Sequence, residues 1–303
     1  MNILEATLSH IISQLCYKNL PAPRLVEPED SSQVQKLPLK TWKKFIEDNC
    51  HDTSRPWAAL FERNLGSECS IVLKEIQLIQ ESARAGYQYL SICDPIFPYL
   101  LRQIKDPPFG LMYLGDPSVL QRPALAIIGA RKAATDSLFQ TQELAKMLSD
   151  EGATIVSGGA IGCDTAAHLG ALVSKQRPSP TVVVMAGSID HLYPRCNLHL
   201  YRRIVAEGGL IISERLLRTA PKPRDFPIRN RIISGLSNRV LVMQAAQRSG
   251  AMATANLALN QGRDVMVYDP EREDIRFTGS RKLMDQGALC FNSANDYFQL
   301  NWE

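Results

Sequence analysis

From residue 124 onward, short apolar runs alternate with amphipathic stretches, and this alternation constrains the fold more than any other feature of the sequence. The apolar runs are ALAIIG, ATIVSGG, TVVVMAG, LIISE, NRVLVMQA and DVMVYDP. Between them lie TDSLFQTQELAKMLSDEG, CDTAAHLGALV, NLHLYRRIVAEGG, FPIRNRIISGL and SGAMATANLALNQG, all helix-like. A strand that is apolar without a break, rather than at every second residue, is buried on both faces. Six such strands separated by helices predict a doubly wound, mostly parallel α/β sheet of extended Rossmann-like type over 124–303. After Pro270, KLMDQGALCF predicts one more short helix and an edge strand.

The first part of the chain reads differently. Leu4, Leu8, Ile11, Ile12 and Leu15 recur at helical spacing, residues 21–38 form a loop rich in Pro, Ser and acid, and further helices are expected over 39–49 and 69–85. This predicts a small helical domain over 1–90. Residues 91–123 hold Pro95, Pro98, Pro107 and Pro108, which forbid a long helix. They read as a connector packed on the next domain through Phe97, Tyr99, Leu100, Leu101 and Leu111.

Composition narrows the class. With 45% hydrophobic and 21% charged residues over 303 positions, the chain has the makings of a core and not of a disordered polymer. Its seven cysteines are scattered, without a C-x-x-C pair, which argues against a disulfide framework and a zinc site. The start MNILEATLSHIISQL is amphipathic rather than signal-like, and no apolar stretch approaches the ~20 residues of a membrane span. A cytoplasmic protein without membrane contact is expected.

In an open parallel sheet, ligands bind beyond the carboxyl ends of the strands. The residues there are Gly129-Ala130-Arg131-Lys132, Ser157-Gly158-Gly159, Ala186-Gly187-Ser188, Ser213-Glu214-Arg215, Gln244-Ala245 and Tyr268-Asp269-Pro270. Small residues, hydroxyls, cations and helix N-termini together predict a phosphate-binding rim. The G-x-G-x-x-G fingerprint, the ribose-binding acid and a G-K-[ST] loop are all missing, so NAD and ATP are poor candidates and no cofactor is assigned. The net charge of +3 says little, but Arg195, Arg202, Arg203, Arg215, Arg218, Lys222, Arg224, Arg229 and Arg231 fall in one segment opposed only by Glu207, Glu214 and Asp225. Such a local basic stripe is the footprint of a polyanion. Phe226 lies among these cations. It either stacks on a base while the cations follow the backbone, or plugs the core ahead of a helix. Arg131 and Lys132 are either phosphate contacts or solvated loop charges.

Catalysis is not expected. Asp164 and His168, four apart on one helical face, could join Ser157 in a hydrolytic triad, but no G-x-S-x-G elbow is present. Asp164 is equally a helix-start residue and His168 a packed one. Cys163 at a helix N-terminus could carry a lowered pKa, though no base is pointed at it.

Several stretches together resemble the DNA-processing protein A (DprA/Smf) family. They are Ala126-Ile127-Ile128-Gly129-Ala130-Arg131; Ile155 to His168, similar to S-G-x-A-x-G-I-D-x-x-A-H; Gly187 to Pro194; Ser213-Glu214; Phe226 to Ile233, similar to F-P-x-R-N-R-I-I; and Ser249 to Ala255, similar to S-G-S-L-x-T-A. They keep their order from about 95 to 290. The resemblance implies a non-enzymatic homodimer that binds single-stranded DNA and helps load a RecA-type recombinase during natural transformation; binding without strong sequence preference is expected. It implies phosphate contact by Arg131 and a strand-gripping loop at Phe226 and Arg229. The candidate site is then Arg131, Lys132, Lys222, Arg224, Arg229 and Arg231 on phosphates, with amides of Ser157, Gly158, Gly159, Gly187 and Ser188. Phe226 contacts a base, and Asn230, Ser249, Gly250 and Thr254 complete the matching blocks. The sequence departs from the family at Ile161, where many relatives carry Lys or Arg, at Gln244, where Glu is common, and at Cys163, where Ile is usual. It also ends at Glu303, without room for the winged-helix-like domain that many relatives append. The rival readings are a nucleotide-binding sensor and a nucleoside-monophosphate hydrolase, the latter disfavoured because its P-G-G-x-G-T-x-x-E motif is absent.

Overall fold

The computed structural model describes Leu78 and residues 81–301 apart from 93, 109 and 271–273. The expected small helical domain lies almost wholly outside the described residues.

The sheet has nine strands: β1 (Gln88–Ser91), β2 (Gly110–Gly115), β3 (Ala124–Ile128), β4 (Thr154–Ser157), β5 (Thr181–Met185), β6 (Leu210–Ser213), β7 (Arg239–Val242), β8 (Asp264–Tyr268) and β9 (Leu289–Phe291). Their spatial order is β1-β2-β6-β5-β4-β3-β7-β8-β9. From β6 to β9 every neighbouring pair is parallel, whereas β1–β2 and β2–β6 are antiparallel. The helices are α1 (Tyr99–Arg102), α2 (Thr135–Asp150), α3 (Cys163–Leu172), α4 (Leu198–Ala206), α5 (Asp225–Gly235), α6 (Gly250–Asn260), α7 (Thr278–Asp285) and α8 (Ala294–Asn301).

The six predicted strands are β3 to β8, and KLMDQGALCF supplies the end of α7 and β9. Both faces of the sheet are covered, as the unbroken apolar runs require. Val182 and Val184 of β5 join the core with Ile232, Ile233 and Leu236 of α5. Val183 and Met185 point the other way, onto Leu200, Tyr201 and Ile204 of α4. Likewise Val240 and Val242 lie on the α5 side and Leu241 and Met243 on the α2–α3 side. No helix among the described residues is long and apolar enough to cross a membrane.

The connector reading needs correction. Gly110–Gly115 is β2, paired through Met112↔Ser213 to Gly115↔Leu210 with β6, and Gln88–Ser91 pairs with it as β1. The prolines at 107 and 108 bar a helix but not a strand that begins just after them. Leu111 and Met112 then alternate between the two cores like any residues of a two-sided strand. Helix α1 is part of the same unit. Leu101 and Ile104 pack against α5 so closely that a Cβ on Gly235 would meet Leu101 Cδ1 at 2.8 Å, and Arg263 Nη2 donates to the Leu100 carbonyl at 2.8 Å.

Leu101 is fully buried. Leu101→Ala is therefore expected to destabilise the sheet domain by about 2–5 kcal/mol, as for other buried leucines. A urea melt followed by far-ultraviolet circular dichroism should show one transition at a lower midpoint. A loose connector would leave the midpoint unchanged.

Candidate nucleic-acid interface

Strands β3, β4, β5 and β6 are laid down in one direction across the sheet, and the chain then returns to place β7 on the other side of β3. The crevice beyond the carboxyl ends of β3 and β7, paired at Ile128↔Val242, is the switch point where such folds bind ligands. A groove of about 710 Å³ lies there. Gly129 to Lys132 form one wall after β3, and Gln244 follows β7 on the floor. The first turns of α5 and α6 close the groove, with Phe226, Asn230 and Ile233 from one and Gly250, Ala251 and Thr254 from the other.

Close backbone approach makes this crevice. Gly162 has φ +85°, and a Cβ there would lie 2.4 Å from the Ala130 carbonyl, which instead accepts from the Cys163 N–H at 3.2 Å. At Gly129 a Cβ would lie 2.5 Å from Cys163 Sγ. The β3 and β4 turns can therefore touch only as glycines.

At the base of the groove two buried side chains of opposite charge, Arg229 and Asp164, each bond to backbone groups. Arg229 Nη1 donates to the carbonyls of Gly158, at 2.8 Å, and Val184. Its Nε donates to Asn230 Oδ1 at 3.2 Å. Asp164, in the first turn of α3, accepts from the N–H groups of Gly158 and Ala160, each at 3.2 Å. Burial pulls the Arg229 pKa down to about 10 and the Asp164 charge opposes that fall, so the guanidinium is charged at neutral pH. Burial likewise pushes the Asp164 carboxyl up, against the pull of Arg229.

At the lip, the Arg131 guanidinium carbon sits 5.8 Å from the centre of the Phe226 ring, a cation–π distance. Tyr193 meets the same ring edge-to-face at 5.7 Å between centroids. Arg131, Lys132 and Tyr193 are exposed and Phe226 is half-buried. Among the described residues neither Arg131 nor Lys132 makes an ion pair.

The structure thus gathers Arg131, Lys132, Phe226, Asn230, Ser249, Gly250 and Thr254 at one groove, and redistributes the other candidates. Arg229 reaches the groove as its underside, with donors given to carbonyls rather than free for phosphate. Of the amides expected of Ser157–Gly159, that of Gly158 is given to Asp164, and the Ser157 Oγ donates to the Ile127 carbonyl. Gly187 and Ser188 are buried away from the groove, Ser188 Oγ being bonded to the Thr219 carbonyl and Asp190. Arg231 points to Glu214 and Asp106, at 2.5 and 3.1 Å. Lys222 and Arg224 are exposed just before α5, outside the groove lining. Thr254 spends its hydroxyl on the Gly250 carbonyl, and Ser249 caps α6 through the Met252 N–H. Part of the predicted basic stripe is taken up in pairs, Arg203–Glu207, Arg215–Asp225 and Arg218–Glu81, while Arg195, Arg202, Lys222 and Arg224 make no ion pair among the described residues. Sequence reasoning missed Tyr193, Ile128 and Ile233 as lining residues, and placed Gln244 on the rim rather than the floor. The switch-point rule, applied to β3 and β7 alone, finds Ile128 and Gln244.

The hydrolytic constellation is not assembled. His168 Nδ1 lies 2.7 Å from Thr181 Oγ1, whose own proton goes to the Ile155 carbonyl, so the ring donates. Burial, with the Arg229 charge behind it, lowers the His168 pKa to about 3. The Cys163 thiol is pushed up to about 12 by burial and by Asp164. Hydrogen bonds at the helix start pull it the other way but do not outweigh the burial.

Fold and groove define a class: doubly wound α/β proteins whose switch point carries a cationic, aromatic lip over an apolar floor. Residues 88–301 match the model of the family described as DNA recombination-mediator protein A. The chain belongs to that family. It is 37% identical to DNA processing protein DprA of Bacillus subtilis over 215 residues, 71% of each chain. It is 38% identical to Protein Smf of Synechocystis over 228 residues, 74% of this chain and 56% of that one. Among solved structures it is similar to DprA of Streptococcus pneumoniae, with TM-score 0.67, 28% identity, 86% of this chain and 90% of that one covered. It is also similar to DNA processing protein A of Helicobacter pylori, whose structure is described for its single-stranded DNA binding mode, with TM-score 0.63, 32% identity and coverage of 70% and 95%.

A buried neutral His168 makes stability depend on acid. Its folded pKa, about 3, lies below the ordinary histidine value of 6.5. Its contribution is therefore complete above pH 6.5 and is lost as pH falls from there toward 3. Between those limits wild type should lose up to ~1.4 kcal/mol per pH unit relative to His168→Gln. Unfolding free energies of the two proteins across this window check it. Parallel pH curves would contradict the buried neutral imidazole.

Proposed function

We propose that this protein binds single-stranded DNA in the switch-point groove without catalysing a reaction on it. The lip carries the reading: Arg131, free of ion pairs among the described residues, lies against Phe226, with Tyr193 edge-on behind. A strand needs both elements, cations for its phosphates and rings on which bases stack. Arg131 and Lys132 take phosphates, helped by the N-terminus of α6 at Gly250, while a base meets Phe226 and Tyr193. The H. pylori relative, described for its single-stranded DNA binding, supports single-stranded DNA as the ligand. The protein would act in the cytoplasm as a homodimer, two grooves gripping one strand, and would hand that strand to a RecA-type recombinase in natural transformation, in keeping with the family's description as a recombination mediator.

The test is anisotropy of labelled oligo-dT and of the matching duplex across a salt series. Tighter, salt-sensitive binding of the single strand is expected. Arg131→Ala should weaken it and reduce the slope of log affinity against log salt by about 0.7, one phosphate contact on a single strand. Phe226→Ala should cost ~1–3 kcal/mol of binding with the slope unchanged. Absence of oligonucleotide binding at low salt would overturn the reading. A mononucleotide-induced rise in melting temperature would then favour a sensor.

A further inference from the structure

We propose that the groove floor reads one base of the bound strand, favouring bases with a carbonyl at the edge farthest from the sugar, through a hydrogen bond donated by Gln244. This rests on the reading that the groove holds single-stranded DNA.

Gln244 is fully buried and lines the groove just beyond β7. Its Oε1 accepts from the Ala134 N–H at 2.8 Å, which fixes the orientation of the amide. Nε2 therefore faces the other way with its hydrogens, and it has no hydrogen-bond partner among the described residues. A buried donor left without an acceptor is costly, so a ligand that supplies one gains the whole difference.

The surroundings select the kind of acceptor. Ile128, Ile233 and Ala251 give the groove apolar walls, and the Asp164 carboxyl lines it as well. The unpaired cations are exposed at the lip. Phosphates thus belong at the lip, and a flat, largely apolar ring belongs on the floor. A base held by its sugar at the lip enters with its far edge leading. In pyrimidines that edge is position 4, a carbonyl in thymine and an amino group in cytosine; in purines it is position 6, a carbonyl in guanine and an amino group in adenine. A donor on the floor accepts the first of each pair and leaves the second facing another N–H. With Glu at this position the floor would present an acceptor and the preference would invert.

Oligo-dT and oligo-dC of equal length isolate the effect, because both are pyrimidine strands with weak self-stacking. Wild type should bind oligo-dT about 3- to 10-fold more tightly, the worth of one net hydrogen bond. Oligo-dU should follow oligo-dT. In Gln244→Met the preference should fall to parity, and in Gln244→Glu it should fall to parity or reverse, with thermal melts confirming that each variant is folded. Equal affinity of wild type for oligo-dT and oligo-dC would overturn the inference, as would a preference unchanged in both variants. Oligo-dU behaving like oligo-dC would trace the preference to the thymine methyl group and overturn it. Uniform weakening on all oligonucleotides would assign Gln244 to a phosphate and overturn it too. If wild type binds none of them, the single-strand reading falls with it; if it binds all of them alike, that reading stands and this inference alone fails.

Discussion

The buried guanidinium of Arg229 is the contact on which the groove depends. Arg229 donates to the carbonyls of Gly158, just past β4, and of Val184, near the end of β5, and so ties the two strand ends together. Taking a charge out of water costs several kcal/mol, which good geometry and a counter-charge must offset. Asp164 supplies the counter-charge and holds the same turn from the opposite side through the N–H groups of Gly158 and Ala160. The Gly158–Ala160 turn is thereby held through two of its N–H groups and the Gly158 carbonyl. Arg229 belongs to α5, so the bond that closes the turn also fixes where α5 begins. That start places Phe226 against Arg131. The lip is a consequence of the pair beneath it.

The fold was legible because its signal is local. Each of β3 to β8 is a continuous apolar run bounded by glycine or polar residues, and each lies between helices with their own period. β2 escaped notice because its apolar run follows two prolines, and the eye reads proline as a loop when it excludes only helix. The charges were harder, because their partners are remote in sequence. Arg218 is bonded to Glu81 and Arg231 to Asp106 as well as Glu214. A window along the chain counts such arginines as unopposed. The glycine turn misled for the reverse reason: its amides do bind an anion, but the anion is Asp164, a few residues downstream.

His168, Asp164 and Ser157 show how far a spacing argument carries. Position i to i+4 does put Asp164 and His168 on neighbouring turns of α3, and both are buried. Each hydrogen bonds elsewhere: Asp164 to backbone amides, His168 to Thr181, Ser157 to the Ile127 carbonyl. The same polar residues that could make a catalytic relay are here used to knit strand ends together. That use is legible only once partners in three dimensions are known.

Of the other cations that line the groove, Arg229 is spent on backbone carbonyls and Arg276 pairs with Asp274, which leaves the groove little charge of its own. Two unpaired lip cations neutralise few phosphates, and on a single strand each contributes only a modest power of salt concentration. Electrostatics alone would therefore hold a strand weakly. The remaining affinity has to come from contacts that salt does not screen: the rings at Phe226 and Tyr193, and whatever enters the floor between Ile128, Ile233 and Gln244. A second groove on the same strand, as in the proposed homodimer, would add its own short-range contacts, since the first binding event raises the local concentration for the next. A protein with a net charge of only +3 can in this way grip a polyanion while attracting other polyanions little.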